Sequence, residues 1–243
     1  MSYNNGFADV YDRIIDRQVD FSSYCDFAIE KCIENSISPQ SVLDLGCGSG
    51  LFTKHLSKKC KKVTALDLSA DMLSIASERV LDNTEFICGD ICSFELFSVY
   101  DACFCTLDTL NHIVLKRDFN LAVKQISKHI KNGGLFIFDV NTIYKHKKIL
   151  CNNTFIFEDE DYYLVWQNFL NGDKVDIMLD VFIESDGHYD RFIEDFSERA
   201  YSDEYIESVL NKNGLSVVEK YDFESFGAVR NNSEKIIYIA KKG

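Results

Sequence analysis

Residues Ser41 to Gly50 read SVLDLGCGSG. Five residues rich in Val and Leu run into Gly46-Cys47-Gly48-Ser49-Gly50, and a helical spacing of apolar residues begins at Leu51. Glycines let a backbone turn sharply and approach a ligand with no Cβ in the way. A helix that starts directly behind such a turn offers free N–H groups and the positive end of its dipole. Asp44 precedes the turn, and Asp67 stands at the end of the next strand-like run. A carboxylate there can accept hydrogen bonds from both ribose hydroxyls of an adenosine. Strand, glycine turn, helix, strand and acid in this order predict an adenosine-type cofactor seated on a parallel sheet.

The pattern continues outward from this unit. Apolar runs predict strands over 41–45, 62–66, 84–88, 100–105 and 135–140, separated by helices over 51–58, 70–80 and 116–131. Asn132-Gly133-Gly134 reads as the stop of the last helix. Strand–helix alternation implies βαβ units with right-handed crossovers. Upstream, Phe7, Val10, Tyr11, Ile14 and Ile15 have helical spacing, and Tyr24, Phe27, Ala28, Cys32 and Ile33 mark a second helical stripe. From Thr154 to Tyr201 aromatic and β-branched residues dominate, with turn signals at Asn171-Gly172-Asp173 and Asp186-Gly187. Two or three antiparallel hairpins are expected there. A helix capped near Ser202 and stopped at Asn213-Gly214 precedes two final strands over 215–221 and 235–240, an antiparallel pair. The fold class is therefore α/β, a seven-stranded, mostly parallel, doubly wound sheet whose last strand is antiparallel. A small antiparallel β insertion follows the fifth strand. The expected division is 1–150 for the N-terminal helices and cofactor-binding core, 151–201 for the insertion, and 202–243 for the completion of the sheet.

The chain has 243 residues and a formal net charge of -13. An acidic protein is a poor match for the phosphate backbone of a nucleic acid, and the lysine groups at 58–62 and 145–148 read as solvated helix ends or turns. No apolar run approaches the ~18 residues of a membrane span. The opening MSYNNGFADVYD has no basic stretch leading into an apolar one, so no secretory leader is expected and the setting is read as cytoplasmic. Nine cysteines in such a setting read as reduced, mostly buried small hydrophobes, with no zinc cluster among them.

A dinucleotide fingerprint needs Gly-x-Gly-x-x-Gly, and its third glycine would fall on Leu51. Gly-x-Gly-x-Gly stands here instead. VLDLGCGSG, then ALDLSADML, then FICGDI resemble the successive cofactor motifs of class I S-adenosylmethionine-dependent methyltransferases. The resemblance implies that Gly46, Cys47, Gly48 and Gly50, with Asp44 before them, hold the methionine portion. Asp67 would hold the ribose, Leu68 and Met72 would pack on the adenine, and Asp90 with Ile91 would lie beside it. Phe7-Ala8-Asp9-Val10-Tyr11-Asp12, the β insertion and Arg199-Ala200-Tyr201 resemble a subgroup of bacterial small-molecule methyltransferases. Tyr11 would then belong to a helix that covers the cofactor.

Methyl transfer from a sulfonium is an in-line displacement that leaves a neutral thioether, so the protein chiefly aligns the partners. A base is needed only where the acceptor must lose a proton. The end of the fourth strand, Thr106-Leu107-Asp108-Thr109-Leu110-Asn111-His112, should border the reacting methyl group. Thr106 is assigned to the cofactor, and Asp108, Asn111 and His112 to orienting or deprotonating the acceptor; His112 can serve as a base near neutral pH. Family members acting on adenine or amide nitrogens carry Asn or Asp before Pro-Pro, and this chain has one proline, Pro39. Cytosine C5 enzymes carry a Cys after Pro, whereas Cys105 follows Phe104. The expected acceptor is a small molecule methylated on N or O, with no nucleic-acid or membrane partner, by a monomer or homodimer. The β insertion is read as a lid or a dimer surface, with Trp166, Arg199 and Tyr201 as substrate contacts and Arg199 as a carboxylate clamp. Where some relatives have a His three residues before this Arg, Phe196 stands here. Two other readings are carried beside this one: a non-catalytic adenosylmethionine-binding regulator and a nicotinamide-dependent oxidoreductase.

Overall fold

A computed structural model describes residues 12, 14–79, 81–160, 162–185 and 187–243. Its main sheet has seven strands: β1 (Ser41–Leu45), β2 (Lys62–Asp67), β3 (Thr84–Cys88), β4 (Tyr100–Cys105), β5 (Ile130–Asn141), β10 (Leu215–Asp222) and β11 (Lys235–Lys242). They lie in the order β10-β11-β5-β4-β1-β2-β3, with β11 antiparallel to both of its neighbours. The helices α1 (Phe21–Glu34), α2 (Leu51–Lys59), α3 (Ala70–Glu78), α4 (Lys116–Lys128) and α5 (Asp203–Lys212) cover its faces. One apolar cluster joins α1 and α2 to one side, with Tyr24, Phe27, Phe52 and Phe104 buried in it. Another joins α4 and α5 to the other side around Phe119, Phe136, Phe138 and Ile206. Strands buried on both faces explain the near-continuous apolar runs in β1 and β4. On α1, Tyr24, Phe27, Ala28 and Cys32 face the core, whereas Ile33, assigned to the same stripe, is 64% exposed.

Strands β6 (Thr154–Glu158), β7 (Tyr162–Asn171), β8 (Lys174–Ser185) and β9 (His188–Arg199) pair antiparallel in sequence order as a second sheet. Gly172 and Gly187 take positive φ at two of its turns, as the tight hairpins demand. The inner face packs Leu164, Val175, Ile177, Leu179 and Val181 against Ile14 and Leu150. The predicted helix over 116–131 ends earlier, at Lys128, and β5 begins at Ile130. Gly133-Gly134 is therefore an irregularity inside a strand, where the β4–β5 register shifts between Tyr100 and Ala102. Only glycine fits there, because a Cβ on Gly134 would sit 2.7 Å from the Asp101 carbonyl oxygen. Among the described residues no helix is long and apolar enough to cross a membrane.

Candidate active site

Strand order reverses between β4 and β1, and ligands of open α/β sheets bind at the carboxyl ends of strands at such a point. Two adjoining cavities lie there, both lined by Ile15, Leu107 and His112.

The first cavity, about 390 Å³, is built on the glycine turn. The Leu66 carbonyl accepts the N–H groups of Gly46 at 2.8 Å and Cys47 at 3.1 Å, so β2 holds the turn open at the end of β1. A Cβ on Gly46 would lie 2.3 Å from Thr109 Cγ2, while one on Gly48 would meet nothing within 4 Å. Gly48, at φ +53°, thus presents bare backbone to open space. Asp67 accepts the Gly48 N–H at 2.8 Å through Oδ2 and the Ser69 N–H at 2.8 Å through Oδ1, which fixes its carboxylate at the cavity wall. Asp90 is held similarly by the Cys92 N–H at 2.8 Å. Leu68, Met72 and Ile91 form an apolar wall between these two acids, and Cys47 and Thr106 also line the space. A ring-sized apolar slot flanked by two carboxylates, beside bare glycine backbone, fits an adenosine with a polar extension.

The second cavity, about 650 Å³, lies between the two sheets. Phe157, Leu164, Trp166 and Phe196 form its wall on the second sheet, and Tyr24 and Phe223 lie on the other side. Its polar lining includes Asp108, Lys145, Glu198 and Lys235. Lys235 Nζ donates to Asp108 Oδ1 at 3.0 Å. Asn141 Nδ2 donates to Asp108 Oδ2 at 2.7 Å and to Glu198 Oε2 at 2.9 Å, and Lys145 Nζ donates to Asn141 Oδ1 at 3.0 Å. His146 Nε2 lies 3.3 Å from Glu198 Oε2. Burial alone would raise the Asp108 carboxyl, but Lys235, Lys145 and His112 hold it well below the usual carboxylate range. Burial lowers and the facing acids raise the Lys235 ammonium, with a net rise, so it stays charged.

The segment carrying Asp108 has an unusual backbone. Leu107 and Asp108 are consecutive non-glycine residues with positive φ, +52° and +54°, a conformation that costs about 1–2 kcal/mol per residue. The buried Asp139 carboxylate supports it, accepting the Leu107 N–H at 2.8 Å, the Asp108 N–H at 2.7 Å and the Tyr24 hydroxyl at 2.9 Å. Burial raises the Asp139 carboxyl; Lys235 opposes the rise and Asp108 adds to it. His112 then ends a short 3₁₀ turn (Thr109–His112) between the cavities. Its Nδ1 is buried with no hydrogen-bond partner among the described residues, and its ring stands 5.1 Å from that of Phe196.

Several site assignments change. Asn111 is fully buried: Nδ2 donates to the Asn141 and Arg199 carbonyls, and Oδ1 accepts the Asn141 N–H. It braces β5 against β9 and has no hydrogen-bonding edge left for an acceptor. Arg199 lines neither cavity; its guanidinium donates to the Val114 carbonyl at 2.6 Å and to Asp173 at 3.0 Å. Tyr201 donates to the Ile113 carbonyl and packs on Phe119 and Tyr205. Both hold the 113–114 segment, which lines the first cavity, from behind. Asp44 and Gly50 also lie behind the wall. Asp44 accepts the Thr53 hydroxyl at 2.6 Å, burial pushes its carboxyl up to about 7, and its Oδ1 has no partner among the described residues. A Cβ on Gly50 would sit 3.2 Å from that of Ala76, so this glycine serves close packing of the turn on α3. Trp166 lines the second cavity, its Nε1 donating to Asn168 at 2.8 Å. Tyr11 lies outside the described residues.

Sequence reasoning missed Asp139, Asn141, Lys145, His146, Glu198 and Lys235. One signal was available: Asp139 interrupts the apolar run Phe136–Val140, and a charge in the middle of a buried strand requires partners.

A family profile described as a methyltransferase domain matches residues 42–134. A Bacillus subtilis protein, YqeM, that carries a methyltransferase name is 31% identical over 218 residues, 87% of this chain and 86% of its own length. The crystal structure of an S-adenosylmethionine-dependent methyltransferase from Clostridium acetobutylicum is 37% identical, covers 98% of each chain and superposes with a TM-score of 0.92. The dTDP-3-amino-3,4,6-trideoxy-alpha-D-glucopyranose N,N-dimethyltransferase of Streptomyces venezuelae is 26% identical over 138 residues, 56% of this chain and 58% of its own.

Proposed function

Because the chain belongs to the class I S-adenosylmethionine-dependent methyltransferases, we propose that it methylates the amine of a small molecule seated in the second cavity. The observation that carries this is the meeting of the two cavities at Ile15, Leu107 and His112. One space fits the methyl donor, the other is large enough for a metabolite, and both open on one imidazole. The Streptomyces relative, named for an amino sugar substrate, supports an amine acceptor.

Asp67 would hold the ribose of the cofactor, Leu68, Met72 and Ile91 its adenine beside Asp90, and the backbone at Gly46 and Gly48 its methionine portion. When bound, S-adenosylmethionine supplies an activated methyl group on a sulfonium. The chain's own task is alignment and proton handling. Trp166, Phe157 and Phe196 would exclude water around the acceptor, which strengthens every charge interaction in the cavity. An ammonium must lose a proton before its lone pair can attack; the His112 imidazole, which lines both cavities, would accept it. Asp108, kept ionised by its neighbours, then stabilises the imidazolium.

A panel of small amines, alcohols and carboxylic acids incubated with labelled methyl donor tests this. Label appearing on an amine is expected. Transfer confined to carboxylates or hydroxyls would contradict the amine assignment. Tight cofactor binding with no transfer to any member would favour a regulatory, non-catalytic protein.

A further inference from the structure

Asp12 lies at the start of the described chain and is far from the glycine turn in sequence, yet it is bonded to it. Ser49 Oγ donates to Asp12 Oδ1. Arg79, at the C-terminal end of α3, donates from Nη2 to both Asp12 oxygens, at 2.8 and 2.7 Å. Its Nε donates to the Ser49 carbonyl at 2.7 Å. One guanidinium thus ties three pieces together: helix α3, the glycine turn and the segment that begins at Asp12. The pair is mostly shielded, with side chains 18% and 20% exposed. Charge-assisted bonds of this kind are stronger than neutral ones and less screened than surface pairs.

The residues just beyond Asp12 give the contact its consequence. Ile15 and Phe21 line the first cavity, and Ile14, Ile15, Gln18 and Val19 line the second. The segment is therefore a shared wall of both spaces. Among the described residues, the next ion pair along it is Arg17 with Asp159, just after β6, a pair 51% and 37% exposed and correspondingly weak. We propose that Asp12 and Arg79 form a latch that locks this wall onto the glycine turn, so that opening of the pair sets the lifetime of bound cofactor. Asp12 and Arg79 are positioning residues: neither lines the cofactor cavity, and each acts through Ser49 and the wall. The latch presupposes that adenosylmethionine occupies the first cavity.

The test is the dissociation rate of adenosylhomocysteine from the full chain, followed by stopped-flow fluorescence of the single tryptophan, Trp166, which lines the adjoining cavity. Asp12→Asn and Arg79→Met are each expected to speed release tenfold or more, with a smaller change in the association rate. The double variant should release no faster than Arg79→Met alone, because that substitution already removes the pair with Asp12 together with the Nε bond to the Ser49 carbonyl. A purely structural contact would lower the melting temperature without this split between the two rates. Release within twofold of the parent in either single variant would overturn the latch, as would effects that multiply in the double variant. No binding by the parent would instead overturn the cofactor assignment itself, and the latch with it.

Discussion

Asp67 and His112 carry the two halves of the proposed reaction, and each makes a separable prediction. The Asp67 carboxylate is already oriented by the Gly48 and Ser69 N–H groups, so little ordering remains when a ribose arrives. Replacing it with alanine removes charge-assisted bonds, and Asp67→Ala should weaken adenosylhomocysteine binding by about 1.5–3 kcal/mol in calorimetry. Unchanged affinity would remove Asp67 from the ribose. His112→Ala should lower turnover by about 10²–10⁴-fold, the usual contribution of a positioned base, while cofactor affinity holds. Turnover that is unaltered across the pH range would leave His112 as packing against Phe196. His112 can be named from sequence because it follows the fourth strand closely. Its neighbour Asn111 is misread by the same logic, since nothing in a residue's type tells whether its amide faces a cavity or the backbone of β5.

At the scale of elements, the decisive unit is the end of β4 held by β5. Two left-handed residues in a row survive because one carboxylate takes both of their N–H groups. In Asp139→Asn one of those N–H groups would face an amide nitrogen. That leaves a buried donor unpaired, at a cost of about 1–3 kcal/mol that urea unfolding should register. An unchanged midpoint would mean that the 107–108 turn supports itself. The same elements mark the limit of sequence reading. The bounds of β1, β3 and β4 are legible residue for residue; in β1 and β4 burial on both faces asks for near-continuous apolar runs. Gly133-Gly134 reads as a helix stop, because a glycine pair looks alike at a C-cap and at a strand irregularity. The choice is made by the Asp101 carbonyl, which belongs to another strand. Arg199 and Tyr201 read toward a substrate for a similar reason. Their partners, the carbonyls of Val114 and Ile113, lie 85 and 88 residues away in sequence.

For the whole molecule, the burial of charge beneath the active site makes stability depend on pH. Asp44 in the folded chain keeps its proton up to about 7, because burial outweighs the Thr53 hydrogen bond, while its ordinary value is 3.8. Between these values the folded state holds a proton that the unfolded state has released. Stability contributed by this group is therefore complete below pH ~4 and is lost as the pH rises toward 7. Asp44→Asn should flatten that part of the profile, so that variant and parent diverge between pH 4 and 7 in denaturant titrations. Parallel profiles would show that Asp44 ionises normally. At the same scale, the two-sheet architecture places a large aromatic-walled space against a glycine-turn cavity, and methyl transfer between them depends on what fills the glycine-turn side. Calorimetry of the full chain with adenosylhomocysteine and, separately, with NAD is the direct measurement. Micromolar or tighter binding of adenosylhomocysteine, weakened in Asp67→Ala, with no heat from NAD, is predicted. Binding of NAD alone would contradict it.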